Sequence, residues 1–97
     1  MSEKRFVVYK AEKARSFDIS YKKLTKKDKV LADRIKSKVK DICEYPERGE
    51  PLSGNLAGRW GIHVANHYVI VYKIIHEDKR IRLLSVKHHD YVYGKKL

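Results

Sequence analysis

The chain is poor in residues that cross-link, break or anchor a fold. One cysteine among 97 residues rules out an intramolecular disulfide and any cysteine-cluster metal site. Cys43 sits beside Val39 and Ile42 at helical spacing, the pattern of a buried position and not of a reactive thiolate. Both prolines, Pro46 and Pro51, fall in one segment, so the stretches on either side are free of the strongest breaker. No apolar run approaches the roughly 20 residues that span a bilayer, and the charged opening Met1-Ser2-Glu3-Lys4-Arg5 has no apolar signal core behind it. The expectation is a cytoplasmic protein without a membrane partner.

Acidic residues are also scarce. Twelve Asp and Glu face 23 Lys and Arg, a formal net charge of +11, and the surplus is spread along the chain. Such a surface attracts nucleic acid, anionic membrane or an acidic protein through the same screened electrostatics, so charge alone selects none of them. At this length, with 42% hydrophobic residues, one domain spanning residues 1–97 is expected, with one core and an open site.

Residues 5–10 (Arg-Phe-Val-Val-Tyr-Lys) form a short β-branched and aromatic run that reads as an opening strand. From Ala11 the period changes: Ala14, Phe17, Tyr21 and Leu24 make one face of a helix about 14 residues long. A second helix follows, with Leu31, Ile35, Val39 and Ile42 as its stripe, and Pro46 stops it. Residues 45–58 hold both prolines and three glycines and read as loop. Residues 59–65, 67–75 and 79–87 are β-rich runs separated by very short polar gaps, the spacing of an antiparallel meander. The predicted order is β-α-α-β-β-β, an α+β fold with an antiparallel sheet packed on a helical hairpin.

Strand periodicity sorts the histidines. Trp60, Ile62 and Val64 share one face, leaving Gly61, His63 and Ala65 on the other, so His63 leaves the core. In the last strand Ile81, Leu83, Ser85 and Lys87 alternate against Arg80, Arg82, Leu84 and Val86. If extension continues, His88 and His89 project to opposite faces, and at most one of them joins His63.

The C-terminal run Lys87-His88-His89-Asp90-Tyr91-Val92-Tyr93 concentrates proton-transfer groups among cations. His63 with His67 and His88 with His89 could offer imidazoles to a metal, but adjacent histidines diverge in a strand and no helical His-x-x-x-His motif occurs, so no metal or other cofactor is expected. No serine has a Gly-x-Ser-x-Gly elbow. Metal-free RNA cleavage needs a base for the 2′-OH, an acid for the 5′-oxygen and cations for phosphate. Glu50, His63 and His89 are candidates for proton transfer, and Arg59, Lys73 and Lys87 for phosphate. The bland alternative is a solvated basic surface with ordinary histidines.

The stretch Glu-Pro-Leu-Ser-Gly-Asn-Leu-Ala-Gly-Arg-Trp-Gly-Ile-His-Val from Glu50, then His-Tyr-Val-Ile-Val-Tyr-Lys-Ile and the terminal His-His-Asp-Tyr-Val-Tyr, resembles the RelE/ParE toxin superfamily. The likeness is greatest to YoeB-like and YafQ-like ribosome-dependent mRNA interferases. By that resemblance Glu50 matches the general base of YoeB-like enzymes, and His89 the C-terminal general acid. His63 falls where YafQ-like members have a catalytic histidine, and His67 on a YafQ-like aspartate. Tyr93 matches an aromatic residue that stacks on or orients the substrate base. Some relatives end in His-Arg-x-x-Val-Tyr, which would align with His88 instead.

Val69 stands where many members carry an arginine for the scissile phosphate, so His63, Arg59 or Lys73 would have to supply that charge. The resemblance implies a type II toxin that cuts mRNA on the ribosome, leaving a 2′,3′-cyclic phosphate and a 5′-hydroxyl, and a cognate antitoxin as partner. A ParE-like inhibitor of DNA gyrase and a plain nucleic-acid-binding module are the alternatives.

Overall fold

The computed structural model describes residues 7–93. The first strand, β1 (Lys10–Lys13), precedes α1 (Arg15–Thr25) and α2 (Lys29–Glu44). Then come β2 (Glu50–Pro51), β3 (Trp60–Val64), β4 (Tyr68–Ile75), β5 (Arg80–His88) and a short closing helix, α3 (His89–Tyr93). The sheet order is β1-β5-β4-β3-β2, and both long helices pack on one face. The α+β class and the meander of β3, β4 and β5 agree with the sequence pattern.

Each helix begins and ends for local reasons. The Asp28 carboxylate accepts the Leu31 N–H at 3.0 Å, capping α2, and Pro46 follows its last residue closely. The apolar stripes fall inward: Phe17, Leu31, Ile35 and Ile42 join Ile62, Val64, Ile70, Tyr72, Ile81 and Leu83 in the main core. Cys43 is buried there, and desolvation, with Glu44 nearby, pushes its thiol pKa up, so it stays protonated. Among the described residues no helix is long and apolar enough to cross a membrane.

Beyond the later start of α1, at Arg15 and not Ala11, and the strand β2 inside the expected 45–58 loop, four expectations need correction. The opening strand starts at Lys10, not at residue 5; residues 5 and 6 lie outside the described part, and the Tyr9 N–H is taken by the Cys43 carbonyl at 2.8 Å. Tertiary pairing outweighs the β-propensity of Val7 and Val8, because register with β5 begins at Lys10↔Arg80. The sheet is also not wholly antiparallel, since β1 runs parallel to β5. Beyond the end of β1, α1 takes over that edge: Ser16 Oγ donates to the Leu84 carbonyl at 2.5 Å and Ser20 Oγ accepts the Val86 N–H at 3.0 Å.

The third correction bears on the site. The strict alternation read for the last strand fails at a bulge, where Tyr72 pairs with Leu83 but Val71 pairs with Ser85, leaving Leu84 as the extra residue. Val86 therefore joins the helix-side core with Ile81 and Leu83, and Lys87 turns to the open face opposite Val69. A smaller apolar layer covers that open face, with Leu52, Val69 and Val71 buried beneath Leu56, Leu84 and Val92. Finally, extension does not continue through the tail. β5 ends at His88, and His89 opens α3.

Candidate active site

Glu50 is carried by a strand of only two residues, and its position is fixed from behind. The buried Tyr72 hydroxyl donates to the Pro46 carbonyl at 2.7 Å and accepts the Gly49 N–H at 3.3 Å, pinning the turn just before Glu50. Burial pushes the Tyr72 phenol up to about 12, the Gly49 N–H working against the rise and Glu47 adding to it. Gly49 cannot be larger: a Cβ there would collide with the Gly61 carbonyl oxygen and lie 2.8 Å from the Tyr72 hydroxyl. Pairing of Glu50 with Gly61 then places the carboxylate beside His63.

The second half of the site comes from α3. Val92 packs on the Leu52–Val69–Val71 layer and seats this helix, which is too short to be stable alone. The His89 N–H donates to the His67 carbonyl at 2.6 Å, holding the strand-to-helix junction. Four residues apart on a helix, His89 and Tyr93 share a side, and their ring centroids lie 4.9 Å from each other.

Four side chains from three segments thus converge. Tyr93 donates to Glu50 Oε2 at 2.6 Å, and His63 Nε2 lies 3.9 Å from the same oxygen. The His63 ring stacks 5.4 Å from His89 and 5.6 Å from Tyr93. Burial first, and then the hydrogen bond and charge of Glu50, hold the Tyr93 phenol far above the ordinary tyrosine range, so this group donates and does not ionise. Periodicity had sent His63 away from the core, and its side chain is 53% exposed, open to a ligand.

The other candidate residues are distributed around this cluster. His88 faces the helix side opposite Tyr68, edge-on to that ring at 5.9 Å, and stacks parallel on His67 at 5.9 Å. Arg59 and Lys87 line a separate cavity of about 540 Å³ with Ser53, Asn55 and Tyr91, and Arg59 donates to the Asn55 carbonyl at 3.4 Å. Lys73 lies opposite Arg82, four residues along β4 from Val69, about 13 Å at the usual strand rise.

Sequence reasoning assigned no role to three residues near the cluster. Asp90 lies 3.7 Å from His89 Nδ1, a carboxylate placed to orient that ring, while its own backbone N–H donates to His88 Nδ1 at 3.2 Å. Its place beside the histidine doublet was a usable signal. Lys38 of α2 and Arg48 border a cleft of about 270 Å³ with Glu50 and His63, and nothing in their sequence context marks them out. Among the described residues no three His, Cys, Asp or Glu side chains are grouped to hold a metal ion.

The family profile described as the ParE toxin of the type II toxin–antitoxin system parDE matches residues 11–93. The chain belongs to this ParE toxin family, within the RelE/ParE superfamily. A Methanocaldococcus jannaschii protein bearing the toxin name RelE4 is 28% identical over 89 residues, 92% of this chain and 95% of that one. The toxin–antitoxin complex RelBE2 of Mycobacterium tuberculosis contains a similar fold, with TM-score 0.72 and 26% identity, over 86% of this toxin and all of that chain. A YoeB/ParE toxin from Agrobacterium tumefaciens shares the fold at TM-score 0.73 and 21% identity, covering 82% of this toxin and 98% of that chain. The type II toxin identity thus rests on nearly the full described length of the chain.

Proposed function

We propose that this toxin is a metal-independent endoribonuclease that cuts mRNA in the ribosomal decoding site. The observation that carries the reading is the convergence of Glu50, His63, His89 and Tyr93 from β2, β3 and α3. Glu50 removes the 2′-OH proton of the nucleotide 5′ to the cut, and the resulting oxygen attacks phosphorus. The P–O5′ bond breaks as His89 delivers a proton to the leaving oxygen, giving a 2′,3′-cyclic phosphate and a 5′-hydroxyl.

Glu50 is favoured over His63 as base because Tyr93 donates to its Oε2, which leaves Oε1 free to accept a proton. His63, stacked between the other groups, adds positive charge when protonated and is the alternative base. His89 is favoured over His88 as acid because His89 stacks on His63, whereas His88 stacks on His67 across the sheet. Tyr93 orients Glu50 and offers its ring to a substrate base. Arg59 and Lys87 serve flanking phosphates; His67 and Lys73 lie further out.

An open site with no second lobe suits a reaction whose message is positioned by the ribosome. The proposed partners are ribosomal RNA with its mRNA, both reached in the cytoplasm, and a cognate antitoxin. The structure of RelBE2 as a toxin–antitoxin complex supports the last of these, as does the +11 charge of this chain. Cut sites on translated mRNA should be mapped for wild type, Glu50→Gln, His63→Ala, His88→Ala and His89→Ala. The reading requires codon-dependent cuts that vanish in His89→Ala and persist in His88→Ala; cutting undiminished in His89→Ala removes that residue as the acid.

Two observations favour a second reading, a gyrase inhibitor without nuclease activity: the ParE description of the matched family and the apolar Val69 in place of a phosphate-binding arginine. A supercoiling assay run beside the cleavage assay separates the two.

A further inference from the structure

We propose that Lys38 and Arg48 form the binding site for the RNA phosphate at the reacting ribose, replacing on the sheet edge the arginine that Val69 cannot supply. The inference rests on the reading of the Glu50 cluster as an RNA-cutting site. At position 69 the side chain has no solvent exposure and lies in the Leu52–Val69–Val71 layer, so no cation reaches the reacting atoms from there. Arg59 and Lys87 border a different cavity, which Glu50, His63 and His89 do not line.

The cleft that Glu50 and His63 do line is bordered by Lys38 from α2 and Arg48 from the turn after it. Its chemistry fits the reaction, because a base acting on a 2′-OH must sit within one ribose of the adjacent phosphodiester, so carboxylate and cations have to share one cleft. Among the described residues neither cation is held in a salt bridge. The Arg48 guanidinium lies 5.0 Å from the centre of the Tyr45 ring. That contact steadies the guanidinium at the border of the cleft, where its planar fork of N–H donors suits a phosphate. The turn carrying Arg48 is the one pinned by Tyr72, so the tie that places Glu50 also places this cation.

The test uses the full chain and a labelled, uncleavable 2′-O-methyl RNA oligonucleotide, with affinity followed over a sodium chloride series. The double variant Lys38→Met/Arg48→Met should flatten the slope of log affinity against log salt by about 0.7 if both cations grip one phosphate, or about 1.4 if they grip two. It should also cut ribosome-bound mRNA at least tenfold more slowly with an unchanged melting temperature. Lys26→Met/Lys27→Met, with the same net charge but altered in the loop between the helices, should change the slope by less than half as much.

An unchanged slope in the Lys38/Arg48 variant overturns the proposal, even where wild type cuts and the nuclease reading stands. A flattened slope with no cutting by wild type keeps the phosphate site and overturns the nuclease reading instead. Equal loss of affinity for polyglutamate would make the cleft a docking surface for an acidic protein and also overturn the proposal.

Discussion

The Tyr93 hydroxyl donates to Glu50 Oε2 across 2.6 Å, joining the end of α3 to the two-residue strand β2. A phenol donating to a carboxylate is a charge-assisted hydrogen bond, worth roughly 1.5–3 kcal/mol. Tyr93 is 39% exposed, so the lower end applies and little of the fold depends on it. Tyr93→Phe should slow single-turnover cleavage about tenfold and leave the melting temperature within a few degrees of wild type. A rate equal to wild type would show that Glu50 needs no help in holding its orientation.

Alanine should cost stability at both Gly49 and Gly54 but activity only at Gly49. At Gly49 the new methyl group meets the Gly61 carbonyl and the Tyr72 hydroxyl, so β2 must move and Glu50 moves with it. Gly49→Ala should cost about 1–3 kcal/mol and most of the activity. At Gly54 there is open space around a left-handed backbone, φ +63, so Gly54→Ala strains the loop by about 1 kcal/mol but leaves Glu50 in place. Denaturant melts and cleavage rates should therefore separate the pair, and parallel losses of activity would contradict the pinning of Glu50 by its preceding turn.

The Tyr72 phenol gives a pH signature. Its folded pKa, about 12, stands above the ordinary 10, so the folded protein holds this proton more tightly than the unfolded chain. That contribution is complete below about pH 10 and is lost as pH rises through about 12. At about 1.4 kcal/mol for each pH unit between those values it amounts to roughly 3 kcal/mol. The comparison is wild type against Tyr72→Phe, so that every other group is shared by the two proteins. Their stability difference, measured by denaturant titration at each pH, should shrink above pH 10; a constant difference would mean that this phenol is not desolvated.

What the sequence disclosed follows from how local each signal is. The stripes Phe17–Tyr21–Leu24 and Leu31–Ile35–Ile42 need only helical period, and Ile62–Val64 against His63 only strand period. The extent of β1 was hidden because Lys10–Lys13 is a polar edge strand whose pairing with β5 is set across the sheet. The bulge at Leu84 carries no turn residue, yet it decides that Lys87 turns to the open face of the sheet, opposite Val69. α3 was hidden for a related reason, because Val92 stabilises it by packing on residues 40 and 23 positions away in sequence, Leu52 and Val69. Glu50, His63 and His89 were legible through motif resemblance, whereas Lys38 looked like any lysine on a solvated helix face.

Restoring the family arginine should harm this protein. Val69 is wholly buried, its side chain closes against Gly61, and Val92 reaches the same layer from α3. An arginine there cannot keep its charge in that layer without several kcal/mol of desolvation, and swinging into solvent would lift Val92 and the helix with it. His89 and Tyr93 both ride on that helix, so Val69→Arg should lower stability by at least about 2 kcal/mol and reduce cleavage more than Val69→Ala does. The alanine variant leaves a small gap but no buried charge, and α3 stays seated. Melting curves and cleavage rates for the two variants check this directly. Higher activity in Val69→Arg at unchanged stability would show that the apolar layer opens freely, and that Val69 marks a lost phosphate ligand instead of the support on which α3 rests.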